Sequence, residues 1–123
     1  LKAKFFNIFS SKKTFKEKEF FHGEWKAVEF DNEPIENRKF IFVRIILSTN
    51  EIQIDIEMEA FGGTVSANSS GNWNLKNDIL FSTFENNHTK SVIVIEDDNV
   101  ISFTPDPFFN SDEVLKSKYI RLK

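Results

Sequence analysis

The segment Glu51-Ile52-Gln53-Ile54-Asp55-Ile56-Glu57-Met58-Glu59 alternates apolar and polar residues without a break. A period of two belongs to a strand with one buried face, because successive side chains leave a strand on opposite sides. Ile52, Ile54, Ile56 and Met58 are therefore assigned to a core, and Glu51, Asp55, Glu57 and Glu59 to an outward row of carboxylates. The preceding stretch, 38–47, is also strand-like, and a turn at Thr49-Asn50 sets the two in register. Leu47 then faces Ile52, Ile45 faces Ile54, Val43 faces Ile56 and Ile41 faces Met58, an apolar agreement that supports the pairing. The other face sets Ile46 against Gln53, Arg44 against Asp55, Phe42 against Glu57 and Phe40 against Glu59.

After Gly23 the rest of the chain follows the same strand-and-turn grammar. Strands are expected at 23–30, 73–76, 79–84, 91–96, 99–104 and 118–122, with turns at 31–34, 77–78, 86–88 and 97–98. Gly62-Gly63 reads as an interruption, residues 68–72 as a loop, and the stretch near 112–115 as one helical turn. Successive hairpins without intervening helices indicate an all-β, up-and-down antiparallel barrel of about eight strands. Upstream, Thr14-Phe15-Lys16-Glu17 has the form of a capping box, so a short helix is expected from about Phe15 to Phe21. The chain divides into a basic tail with that helix, 1–22, and a barrel domain, 23–123.

Gly23-Glu24-Trp25, placed at the start of the first strand after a short helix, resembles the Gly-x-Trp signature of lipocalin-like, or calycin, barrels. The segment 70–81, with Gly71-Asn72-Trp73-Asn74-Leu75 leading into an alternating apolar strand, resembles the middle hairpin of small bacterial lipocalin-like domains. Tyr119-Ile120-Arg121-Leu122 is similar to their closing strand, and the resemblance implies that Arg121 lies over Trp25 at the closed end. It further implies a small apolar ligand carried inside the barrel, with Trp25, Ile45, Ile54, Ile56, Trp73 and Phe103 as interior candidates. The chain is shorter than a typical lipocalin, and bulky inward residues can fill so small a barrel outright.

The formal charge of −3 conceals an asymmetry. Residues 1–22 carry six lysines against Glu17 and Glu19, a net +4, while the remaining 101 residues sum to −7. An acidic body disfavours nucleic-acid backbones and favours a basic partner, with plain solubility as the competing explanation. The chain has no cysteine, which removes disulfides, thiolate metal sites and cysteine nucleophiles. It also points to a reducing, cytoplasmic compartment, with an extracytoplasmic location after removal of a leader as the alternative. No apolar run approaches the roughly 18 residues of a membrane span.

Chemistry-bearing residues are sparse. His22 and His88 are the two histidines, without zinc-like spacing, and the carboxylates of a strand spread along a line rather than around a cation. His22 with Glu24 is the one acid–base pairing to consider, and it reads more simply as polar residues at a strand start. No cofactor is expected. Fifteen phenylalanines are enough to fill a core, yet Phe40 and Phe42 fall on the carboxylate face. An aromatic anchor within an anionic rim suits an interface for a basic protein, the mode in which bacterial immunity proteins hold nuclease toxins. The expected function is thus a non-enzymatic binding module using Phe40, Phe42, Glu51, Asp55, Glu57 and Glu59. The alternative is the lipocalin-like carrier.

Overall fold

The structure, a computed structural model, describes residues 16–109 and 114–122. Eight strands follow one another: β1 (Gly23–Phe30), β2 (Phe40–Leu47), β3 (Glu51–Ala60), β4 (Gly63–Lys76), β5 (Ile79–Phe84), β6 (Asn87–Asp97), β7 (Val100–Thr104) and β8 (Ser117–Arg121). Each pairs antiparallel with its successor, and β8 returns to β1, so the sheet closes into a barrel. A two-residue bridge, Glu33–Pro34, folds back on the end of β1.

Closure follows from the alternation. Trp25 and Ala27 of β1, Val43, Ile45 and Leu47 of β2, and Ile52 and Ile54 of β3 are at most 1% exposed. Leu80, Ile101, Phe103 and Tyr119 continue this lining around the other wall, each again at most 1% exposed.

Both ends are stoppered. At one end a 3-10 turn, Lys18–Phe21, stands where the helix over 15–21 was expected. Glu17 occupies its N-cap position without a side-chain cap bond, and Thr14, the other half of the expected capping box, lies outside the described residues. A single turn suffices there because Phe21 buries itself and accepts the Trp25 indole N–H on its carbonyl at 2.9 Å. The Arg121 guanidinium lies 4.1 Å from the centre of the Trp25 ring, as the resemblance implied. It also donates to the carbonyls of Phe20 (2.9 Å), Asp98 (3.3 Å) and His22 (3.4 Å), tying the last strand to the turn before the first.

The opposite end is filled by phenylalanines. Phe30, Phe40 and Phe109 pack with ring centroids 5.1 to 5.4 Å apart, and Phe108 bridges Phe109 to Phe84 at 5.1 Å. The 105–109 loop is held there by Asp106, which is fully buried. One carboxylate oxygen accepts the N–H groups of Phe108 (2.9 Å) and Phe109 (2.8 Å), and the other accepts the Tyr119 hydroxyl at 2.9 Å. Burial pushes the Asp106 carboxyl above its ordinary range, and these donors only partly offset it. Burial likewise drives the Tyr119 phenol well up, reinforced by the neighbouring carboxylate. Of the helical turn expected near 112–115, residues 112 and 113 lie outside the described residues, and Val114 and Leu115 are not helical.

Candidate functional site

The β2–β3 hairpin follows the expected register from Leu47↔Ile52 through Phe42↔Glu57. There it changes. A β-bulge sets Phe40 opposite Met58, so the expected Ile41–Met58 and Phe40–Glu59 pairs do not form. Lys39 enters the strand from the left-handed region at φ 68°, and its carbonyl accepts the Glu59 N–H at 2.9 Å. Phe40 turns inward to join Phe30 and Phe109, and Ile41 turns out, 44% exposed. Three rings packed together outweigh strict alternation, and the bulge absorbs the extra residue. Phe40 is therefore part of the stopper and not of the outer face.

The remaining outer-face residues stand where expected. Glu51, Glu57 and Glu59 are exposed. Asp55 is committed to its own fold: Arg44 Nε donates to its Oδ2 at 3.2 Å and Gln53 to its Oδ1 at 3.2 Å. Partial burial raises the Asp55 carboxyl, but those hydrogen bonds and the guanidinium charge outweigh it and hold it below its ordinary range. Arg44 also reaches Glu24 at 3.4 Å. Phe42 is half-buried beneath two cations, with Lys26 at 5.8 Å and Arg44 at 5.7 Å from its ring centre. The free negative charge on this face is therefore carried by Glu51, Glu57 and Glu59.

The tip of the β3–β4 hairpin holds a residue that sequence reasoning passed over. Phe61 is fully exposed, at 102% of its reference surface, and adopts φ 55°. Gly62 follows at φ 77°, so the two-residue turn takes left-handed conformations at both positions, where Asn, Asp or Gly normally stand. A bulky side chain in that region is strained by about 1–2 kcal/mol. The available signal was Phe directly before Gly-Gly at the end of an alternating strand. An open groove of about 570 Å³ runs beneath it, bordered by Lys39, Glu59 and Thr64.

The interior candidates all lie in the core: Trp25 and Ile54 are 0% exposed, Ile45 and Phe103 1%, Trp73 3% and Ile56 9%. A ligand-sized void beside a side chain leaves part of it accessible to water, and the first four show almost none. At the phenylalanine end a recess of about 250 Å³ remains among Arg38, Phe40, Met58, Phe109 and Val114. His22 and Glu24 are not brought together by any hydrogen bond among the described residues. Glu24 turns to Arg44, while the His22 ring stands edge-on to Trp73 at 6.1 Å. Among the described residues no group of three or more His, Cys, Asp or Glu is placed to hold a metal ion, and no helix is long and apolar enough to cross a membrane.

The architecture is thus a closed eight-stranded antiparallel barrel, consistent with a calycin-like barrel, with a carboxylate face on one hairpin. Comparison with protein-family models, curated proteins and solved structures gives no match.

Proposed function

We propose that this is a lipocalin-like barrel acting as a non-enzymatic binding module, which recognises a basic protein through the outer face of β2 and β3. The observation that carries this reading is the row of Glu51, Glu57 and Glu59, exposed and, among the described residues, free of the ion pairs that occupy Asp55. Apolar surface borders the row: Ile41 at 44% exposed, Phe61 at the tip, and the rim of Phe42. Apolar anchors within a ring of like charge are the composition of a protein interface that relies on charge for steering and specificity. The stacking of Arg121 on Trp25 supports the lipocalin-like assignment. Trp25, Ile45, Ile54 and Phe103 are at most 1% exposed, which leaves little room for a ligand beside them inside the barrel. The outer face is therefore preferred to the carrier reading.

The test is the double substitution Glu57→Lys/Glu59→Lys, titrated calorimetrically against a basic test protein that binds the parent. Affinity should fall about tenfold or more with the circular dichroism spectrum unchanged, because each reversal replaces attraction by repulsion. Equal affinity for the parent and the folded variant would sink this reading.

A further inference from the structure

The barrel is not sealed by hydrogen bonds along the whole length of β4. This strand pairs with β3 over Gly63 to Asn72, but with β5 only over Asn72 to Lys76. Among the described residues, 63–71 therefore have β3 on one side and no strand on the other. The hairpin geometry says which groups are left over. The two-residue turn is closed by Ala60↔Gly63, which makes that pair hydrogen-bonded and the next, Glu59↔Thr64, non-hydrogen-bonded. The alternation is visible on both flanks: Glu59 N–H points away from β4 to the Lys39 carbonyl, and Trp73 N–H points to Asn50 beside β3. Thr64, Ser66, Asn68 and Ser70 consequently direct their backbone N–H and C=O groups to the open edge.

Edges of this kind are normally blunted by lysine, proline, a bulge or a covering element. Thr64-Val65-Ser66-Ala67-Asn68-Ser69-Ser70 contains no charge and no proline, its pairing with β3 runs without a shift, and residues 63–68 are all exposed. The charge lies one strand away. Glu59, Glu57 and Asp55 stand opposite Thr64, Ser66 and Asn68 on the outer face. A strand added to β4 would lie about 10 Å from β3. Lysine or arginine side chains from it would meet Glu57 and Glu59 over the small Ser66 and Thr64. At the end of the edge stands Phe61, strained and fully exposed.

We infer that the open edge of β4 is a strand-addition site, which takes an extended, basic segment of the partner as a further strand beside Thr64–Ser70, with Phe61 as an apolar anchor at its end. Main-chain hydrogen bonds supply affinity in such an arrangement, and the adjacent carboxylates select the segment. A second copy of this chain is the less suited occupant, since its own acidic face would approach the same carboxylates. The inference rests on the acidic-face reading for its choice of partner, and the edge itself adds a binding mode to it.

The probe is a capped peptide of four Lys-Val repeats, with a control of the same sequence whose peptide nitrogens are all methylated so that neither edge can pair. Binding is followed by fluorescence anisotropy, and amide exchange is read by NMR. The expected result is at least tenfold weaker binding of the methylated control, with new protection at Thr64, Ser66, Asn68 and Ser70. Ser66→Pro should abolish both effects. It removes only an N–H that β3 does not use, and proline is tolerated on an edge. Equal binding of the two peptides, no binding of either, or binding that survives Ser66→Pro would overturn the strand-addition site. If the edge binds but Glu57→Lys/Glu59→Lys changes nothing, the acidic-face reading fails and with it the choice of a basic segment. A concentration-dependent dimer dissolved by Ser66→Pro would assign the edge to a second copy and overturn the occupant named here.

Discussion

Gly71 should resist replacement, and the structure says by how much. It lies where β4 leaves its solitary run beside β3 and comes against β5. A Cβ on Gly71 would stand 1.9 Å from the Thr83 carbonyl oxygen, 2.9 Å from its carbon and 3.2 Å from the Phe84 Cα. All three are backbone atoms, so no side chain can swing aside. Ordinary contact would require β5 to move by about 1.5 Å, which disturbs the ladder from Asn72↔Thr83 to Lys76↔Ile79. Overpacking alone costs about 1–3 kcal/mol, and each disturbed hydrogen bond adds about 1 kcal/mol. Gly71→Ala is therefore expected to lose roughly 3–4 kcal/mol. With a urea slope of about 1–3 kcal/mol per molar, the midpoint should fall by about 1–4 M. Urea titration followed by emission from Trp25 and Trp73 reads this directly. Gly63→Ala is the matched control: nothing lies within 4 Å of its added Cβ. It should stay within about 0.5 kcal/mol of the parent. If Gly71→Ala unfolded within about 0.3 M of the parent, the close approach of β4 to β5 would be refuted.

Two further outcomes follow from the barrel's ends. Arg121→Ala removes the cation over Trp25 and donors to three carbonyls, and should cost about 2–3 kcal/mol with a shift in tryptophan emission; an unchanged urea midpoint would count against the stacked arrangement. Asp106 binds its proton more tightly in the folded chain than in the unfolded one. Its contribution is thus full below the ordinary carboxylate pKa and declines as pH rises through the folded value. The stability of the parent relative to Asp106→Asn should therefore be greatest near pH 3 and fall towards neutrality. Asp55 and Glu96, whose pKa values are lowered, act oppositely but cancel in that difference. A gap that widens towards pH 7 would show the sign to be wrong.

Local pattern made most of the barrel legible. The hairpin register from Leu47 to Phe42 could be read because both strands alternate, and a one-residue slip would have buried Gln53, Asp55 and Glu57. The bulge at Ile41 could not, since it arises from Phe109, distant in sequence and close in space. The length of β4 was hidden for a related reason. Thr64 to Ser70 has the composition of a loop and becomes strand because β3 supplies a long, well-patterned template. Of the candidate surface, the carboxylates were visible and the exposed aromatic was misplaced. Phe40 and Phe61 differ in fate through tertiary packing and turn geometry, which a periodicity of two does not encode. Asp106 between two prolines looked like an ordinary loop residue, and only its burial against Tyr119 shows that it holds the stopper in place.

The seam between β1 and β8 sets the order in which this chain can assemble. The seven other ladders of the barrel join strands that follow one another in the chain. The seam instead pairs Trp25 with Arg121 and Phe30 with Ser117. Its closure must draw together segments separated by nearly the whole barrel, and the entropy lost grows with the length of that loop. Hairpins can zip locally on the microsecond scale, while the seam waits for most of them. Until it closes, β1 and β8 each carry a bare edge as well. A chain synthesised from its N-terminal side therefore holds these strands as an open, curved sheet, and becomes a barrel only once β8 is delivered.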